Sequence, residues 1–284
     1  MKNDNLIYDI GLHLGYDTSF YLSKGFKVIA IEANPELINK AKSTFKNEIS
    51  SGKLTLLNIA ISEKDFELVP FYVSKERSIQ SSLQKSMAQR NSEILEVKVE
   101  SAKLATIFEK YGVPLYCKID IEGYDYIALE SLNSTSTLPQ FISAEISNVS
   151  NDNKVGEDIE DINLLNQIWL SILIKLSQLG YKKFKIVDQA SLRIMGTNSY
   201  NDFGLYDNNL SSRLYKKIYR FSKCIKNQLA FNLGYLTDSS GPFGNELSGE
   251  WLDFEETSKI ITEHGKNLNK NGIKVMWCDI HATF

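Results

Sequence analysis

The chain has 284 residues, 43% of them hydrophobic and 24% charged, with five Pro and 16 Gly. That composition belongs to an ordinary globular protein and excludes fibres, coiled coils and low-complexity chains. Lys plus Arg number 32 against 35 Asp plus Glu, a formal charge of −3, so a broad basic footprint is missing and no nucleic-acid partner is expected.

Met1–Asn5 is polar and lacks the apolar run of a signal peptide, and the richest apolar stretch, Ile168–Leu179, is too short to span a bilayer and contains Lys175. No membrane span and a cytoplasmic location are the expectation. Cys117, Cys224 and Cys278 are isolated, which predicts neither disulfides nor a cysteine zinc site; Cys117 and Cys278 sit in apolar runs and read as core.

In chain order, Leu6–Ile10 reads as a first strand, Thr18–Lys24 as a helix stopped by Gly25, and Lys27–Glu32 as a second strand. Asn34-Pro35 places a capping residue before a first-turn proline, and Leu37, Ile38, Ala41 and Phe45 follow at helical spacing. Leu54–Ile61 reads as a third strand, with Phe71–Val73 and Val97–Val99 as short strands flanking a polar loop. Ala102–Tyr111 is a helix stopped by Gly112 and Pro114, and Leu115–Ile121 is apolar apart from Lys118 and Asp120, the pattern of a buried central strand. Tyr126–Leu132 and Leu164–Leu179 read as helices, Phe141–Ile146 and Lys182–Val187 as strands. Residues 189–250 show no clear period. Asp253-x-x-Glu256 then opens a helix to about Leu268, and a last strand begins at Ile273–Trp277. This alternation predicts an α/β fold with a mostly parallel sheet, helices on both faces, one domain over 1–284, and 189–272 as an insertion or lid on the substrate side.

Asp9-Ile10-Gly11-Leu12-His13-Leu14-Gly15 lies between the first strand and helix, where glycines let backbone approach a ligand. Glu32 ends the second strand, where a carboxylate accepts hydrogen bonds from a ribose diol. Together they predict a nucleoside cofactor across the carboxyl edge of the sheet. The loop is D-x-G-x-x-x-G rather than G-x-G-x-x-G, with Leu12-His13-Leu14 where a pyrophosphate needs small residues, so a cofactor without phosphates such as S-adenosylmethionine suits it better than NAD or FAD. Lys118-Ile119-Asp120-Ile121-Glu122-Gly123 ends the central strand and offers two carboxylates at the ligand edge, with Lys118 as an ion-pair partner.

These segments, with Glu32-Ala33-Asn34-Pro35, Asn58-Ile59-Ala60-Ile61-Ser62, Ser81-Ser82-Leu83 and Leu129, resemble the FkbM family of S-adenosylmethionine-dependent methyltransferases over about residues 5–187, most specifically in the Lys-Ile-Asp-x-Glu-Gly run. The resemblance implies a class I methyltransferase (Rossmann-like) sheet of seven strands with the last antiparallel, and O-methylation of a sugar, glycan or natural-product hydroxyl. It also implies that Asp9, Gly11 and Gly15 line the methionine end, that Glu32 holds the ribose, that Asn58, Ile59 and Ala60 border the adenine, and that Asp120 stands at the methyl-transfer mouth. His13 is a further candidate for the cofactor, and Asp120, Glu122 and His281 are the candidate catalytic groups, since an alcohol acceptor must lose a proton. His264 reads as a solvated group near a helix end. No resident metal is expected, although Asp120, Glu145 and Asn148 at neighbouring strand ends are the oxygen ligands a hard cation would use. Tyr200, Phe203, Tyr206, Tyr235, Phe243 and Trp251 either stack on a sugar or pack as core, and Arg213–Lys226 either is a solvated helix face or meets RNA. The competing readings are an NAD-dependent oxidoreductase and a non-catalytic binding protein on the same fold.

Overall fold

The computed structural model describes residues 2–76, 81–89, 93–146, 148, 160–189, 194–195, 240–274 and 276–284. Tyr200, Phe203, Tyr206, Tyr235, Cys224 and the Arg213–Lys226 run lie outside the described residues. None of the described helices is long and apolar enough to cross a membrane.

The first half alternates as its periodicity predicts: β1 (Lys2–Ile10), α1 (Tyr16–Ser23), β2 (Lys27–Ile31), α2 (Pro35–Thr44), α3 (Lys46–Ser50) and β3 (Leu54–Leu57). Asn34 caps α2 by accepting from the Glu36 N–H at 3.0 Å, and Pro35 occupies the first turn, where its missing N–H costs nothing. There follow β4 (Ala60–Ile61), β5 (Leu68–Ser74), α4 (Lys85–Ala88), β6 (Ile94–Ala102), α5 (Leu104–Tyr111), β7 (Val113–Ile119), α6 (Asp125–Ser131), β8 (Phe141–Glu145), α7 (Ile162–Gln178), β9 (Lys183–Asp188), β10 (Ile194–Met195), α8 (Phe254–Lys270) and β11 (Cys278–Thr283).

The main sheet has the order β10-β9-β11-β8-β7-β1-β2-β3. β1 pairs in parallel with both β2 and β7, so the chain winds outward to β3 and returns to the other side of β1. That reversal opens a crevice at the carboxyl ends of β1 and β7, the place where doubly wound sheets bind ligands. β11 runs antiparallel between β8 and β9. Without β10 this is the seven-stranded class I methyltransferase sheet. The eighth strand is a correction to the expected seven: Ile194 and Met195 pair antiparallel with Val187 and Ile186 and extend the edge by two residues.

Two further strands depart from expectation. Leu54–Ile61 is not one strand, because Asn58 Nδ2 donates to the carbonyls of Glu32 at 2.9 Å and Ala33 at 3.0 Å, and Ala60–Ile61 turns away to pair with β6. There β5 and β6 form a seven-pair antiparallel ladder, a small second sheet over the crevice side. The last strand starts at Cys278 rather than Ile273, since Asn148 Oδ1 accepts from the Met276 N–H and Asn148 Nδ2 donates to the Met276 carbonyl, occupying backbone groups a strand partner would need.

Both sheet faces are covered, as alternation along β1 shows: Leu6, Tyr8 and Ile10 enter the core under α5 to α8, and Ile7 enters the core under α1 and α2. α8 opens with the reciprocal Asp253–Glu256 capping box and packs on α7 and β9. His264 on α8 is fully buried rather than solvated, and burial lowers its pKa to about 4. Cys117 and Cys278 are buried, and neither forms a disulfide among the described residues. Phe243 is core as well, stacked on Tyr116 at 4.3 Å between ring centres, and Trp251 lies under the Lys185 ammonium and beside Phe141.

Candidate active site

Two adjoining cavities lie at the carboxyl ends of β1, β2 and β7. The first encloses about 720 Å³ of empty space, including its open mouth. Its apolar walls come from Ile31, Leu37, Ile59, Ala60, Ile61 and Phe71, and its polar rim from Glu32, Ser81, Asp120, Glu122 and the Gly11–His13 turn.

Glu32 is 8% exposed, with Oε1 accepting from the Asn34 N–H at 2.8 Å and Oε2 from the His13 N–H at 2.9 Å. Burial pushes its carboxyl above the usual range, and the backbone donors pull it back part of the way. Each oxygen keeps acceptor capacity for a diol. Asn58 does not line the cavity; its amide fixes the carbonyls beside Glu32, a positioning role, whereas Ile59 and Ala60 do line it.

The Gly11 backbone has φ +94°, and a Cβ there would lie 1.9 Å from the Asp120 carbonyl oxygen, so only glycine lets the β1 turn press against the β7 turn. Gly15, at φ +81°, lines neither cavity; a Cβ would meet the Phe45 ring at 2.6 Å, so this glycine serves packing rather than ligand approach. Asp9 is likewise not at the surface of either cavity. It is fully buried, its Oδ2 accepts from Thr18 Oγ1 at 2.6 Å, and burial, only partly offset by Lys118, raises its pKa to about 7. Its work is to hold α1 onto β1.

His13 and Glu122 both line the cavities with positive φ, 48° and 49°, an uncommon conformation for residues with side chains and one concentrated at functional turns. The Glu122 carbonyl accepts from Ser82 Oγ at 2.9 Å, which brings Ser81 and Leu83 to the first cavity.

The second cavity, about 1050 Å³ with its mouth, shares Gly11, His13, Asp120 and Glu122 with the first and continues to Asp17, Lys118, Glu145, Gln189 and Ser240. Lys118 is 3% exposed; its Nζ lies 3.1 Å from Asp120 Oδ2 and 3.4 Å from Asp17 Oδ2. Burial works against its charge, but Asp120, Asp17, Asp9 and Asp279 outweigh that and hold the ammonium well above its ordinary pKa. Asp17 in turn accepts from the Ser240 N–H and hydroxyl. Asp17 stands in the first turn of α1, a sequence signal that was available; Ser240 follows a stretch with no pattern to mark it.

Asp120, Glu122 and Glu145 bring carboxylate oxygens within 4.8 Å of one another. Asn148 is not part of that group, a correction to the set Asp120, Glu145 and Asn148: its side chain is spent on Trp169 Nε1 and the Met276 backbone. His281 is also elsewhere. It is 3% exposed within β11, lines neither cavity, stacks on Tyr116 at 6.2 Å, and burial lowers its pKa to about 3.

The first cavity fits an adenosine without phosphates: a carboxylate for the diol, apolar walls for the base, and no Lys or Arg among its described lining to meet a pyrophosphate. The model of the methyltransferase FkbM domain matches residues 9–183. No curated protein matches the chain. Among solved structures, the chain is similar to a precorrin-6y C5,15-methyltransferase from Geobacter metallireducens, at 11% identity over 69% of this chain and 74% of that one, TM-score 0.33. It is also similar to an S-adenosylmethionine-dependent methyltransferase from Geobacter sulfurreducens in complex with S-adenosylhomocysteine, at 10% identity over 100% and 86%, TM-score 0.36. With a family match spanning more than half of its length and running from Asp9 through the Lys118–Gly123 turn, the chain belongs to the family of FkbM-domain methyltransferases, whose cofactor is S-adenosylmethionine.

Proposed function

We propose that this methyltransferase is an O-methyltransferase that acts on a hydroxyl of a sugar, glycan or natural-product small molecule. The observation that supports it is the wall shared by the two cavities: Gly11, His13, Asp120 and Glu122 border both, so a ligand in each would meet across that wall.

On this reading Glu32 holds the ribose diol, Ile59 and Ala60 border the adenine, and the Gly11–His13 backbone carries the methionine end. When bound, S-adenosylmethionine supplies an electrophilic methyl carbon on a sulfonium. Asp120 and Glu122 orient the acceptor hydroxyl in line with that carbon and take up its proton, a contribution of ~10²–10⁴-fold for a positioned base. Lys118 holds Asp120 in place through their 3.1 Å contact. His281 has no part, being enclosed in the strand layer. The chain acts as one domain, with 189–272 contributing to the acceptor side through Ser240, a lining residue of the second cavity.

Thermal unfolding with S-adenosylhomocysteine, S-adenosylmethionine or NAD added separately tests the cofactor assignment, since ~100 times Kd stabilises the native state by ~2.7 kcal/mol. A shift with NAD alone would select an oxidoreductase. Transfer of labelled methyl to hydroxyl acceptors, lost in Asp120→Ala while S-adenosylhomocysteine binding persists, tests the reaction; cofactor binding with no transfer to any acceptor would select the non-catalytic reading.

A further inference from the structure

The first cavity has walls of two origins. One is the carboxyl edge of the main sheet, with Gly11, Ile31, Glu32 and Asp120; the other lies outside that sheet, with Phe71 of β5 and Ser81 and Leu83 of the segment 81–84. Phe71 and Leu83 pack with Ala60, Val73 and Val99 in a small apolar cluster, separate from the two clusters that fill the faces of the main sheet. Ala60, Phe71 and Leu83 reach the cavity surface, so an apolar ring placed there continues that cluster.

The segment 81–84 is held by hydrogen bonds centred on Ser82, which is 1% exposed. The Ser82 backbone exchanges two bonds with Tyr72, the Tyr72 N–H donating at 2.9 Å and the Ser82 N–H at 3.1 Å, which ties the segment to β5. Its hydroxyl makes the other connection: Oγ donates to the Glu122 carbonyl at 2.9 Å and accepts from the Gln84 N–H at 3.0 Å. The turn it reaches, between β7 and α6, holds Glu122 and Gly123 at φ +49° and +94° in succession. A side chain disfavours that backbone region, so a donor from another segment helps to fix the turn. One hydroxyl thus joins the two walls of the cavity.

We infer that Ser82 is a positioning residue for the cofactor: its hydroxyl latches the Leu83 wall to the Glu122 turn, so that the adenosine of S-adenosylmethionine is enclosed between the two. This rests on the placement of the adenosine in the first cavity and goes beyond it, since Ser82 itself lines neither cavity. Removing the hydroxyl keeps the Tyr72 bridge and loses the crossing bond, so the enclosed arrangement becomes one of several. Apparent affinity falls with the fraction of molecules in the binding-competent arrangement, and the loss of one ordinary hydrogen bond sets that fraction at about one in ten.

The test is calorimetric titration of the full chain with S-adenosylhomocysteine. Affinity is expected to fall about tenfold in Ser82→Ala and about five- to tenfold in Leu83→Ala, and in the double variant by less than the product of the two, because the latch acts through the wall that Leu83 builds. A change under about threefold in Ser82→Ala, or a double loss equal to the product, overturns the proposal. A hydroxyl that serves folding alone would lower the urea midpoint and leave the affinity as it was, which also overturns it. Hydrogen exchange of the parent protein gives a readout that survives a variant that does not fold: the Gln84 amide, whose acceptor is the Ser82 hydroxyl, should exchange more slowly with S-adenosylhomocysteine bound, and an unchanged rate sinks the latch. Glu32→Ala, titrated in parallel, separates the two levels. Binding as tight as the parent's in Glu32→Ala defeats the placement of the adenosine and the latch with it; weakened binding there with none in Ser82→Ala defeats the latch alone.

Discussion

Replacing His281 by Phe separates a catalytic from an interior histidine. Among the described residues neither ring nitrogen has a hydrogen-bond partner, the residue is 3% exposed, and the ring stacks on Tyr116. A buried unsatisfied polar group costs about 1–3 kcal/mol, which Phe removes; the larger ring gives back a similar amount through overpacking. The variant should therefore match the parent at pH 8. Acid separates them. The folded pKa of about 3 lies below the unfolded value of ~6.5, so the unfolded chain binds the proton first. The stability this imidazole leaves intact above pH 6.5 is lost as pH falls from there toward 3. At pH 5 the unfolded form gains about 1.5 pKa units of protonation, ~2 kcal/mol, which the Phe variant does not lose. Urea unfolding of both proteins at pH 8 and pH 5 measures it, and comparison at each pH cancels His264 and the buried carboxyls. Methyl transfer should be unchanged at pH 8. An identical pH dependence in the two proteins, or a tenfold drop in transfer with folding and cofactor binding intact, refutes the reasoning.

Glu32→Ala removes the proposed ribose acceptor and strands the His13 and Asn34 N–H groups; calorimetric titration should show S-adenosylhomocysteine affinity falling about 10–100-fold, and a change under threefold discards the role. Gly15→Ala should cost ~1–2 kcal/mol for the left-handed backbone and ~1–3 kcal/mol for the clash with Phe45, so adding Phe45→Leu should restore the second part only, as a double-mutant cycle in urea will show. Lys118→Met leaves Asp17 and Asp120 without their shared cation and should destabilise by ~3 kcal/mol in urea unfolding at pH 8; a loss under about 1 kcal/mol would count against the network.

Local sequence carries whatever depends on neighbours along the chain. The Asn34-Pro35 start, the Asp253–Glu256 box, the stops at Gly25, Gly112 and Gly180, and the parallel alternation are settled within a few residues by capping and periodicity. Glu32, Gly11, Asp120 and Glu122 were legible because each follows a strand end at the crevice of a doubly wound sheet.

The remainder depended on who fills a partner's needs across the fold. Asn58 and Asn148 look like loop polar residues, yet each occupies backbone groups that set where a strand breaks or begins. Phe243 could have stacked on a sugar, and His281 could have taken a proton; packing against Tyr116 enclosed both. Asp9 and Gly15 belong to the nucleotide-loop motif but are turned toward Thr18 and Phe45, and Ser240 reaches Asp17 across 223 residues of chain. The amino-acid order thus determined the fold class, the cofactor edge and the motif at its centre, since those follow from local hydrogen bonding and hydrophobic period. Only the tertiary structure decided which of the polar residues line the two cavities and which are consumed inside, because burial and the pairing of each donor and acceptor are properties of contacts between distant segments.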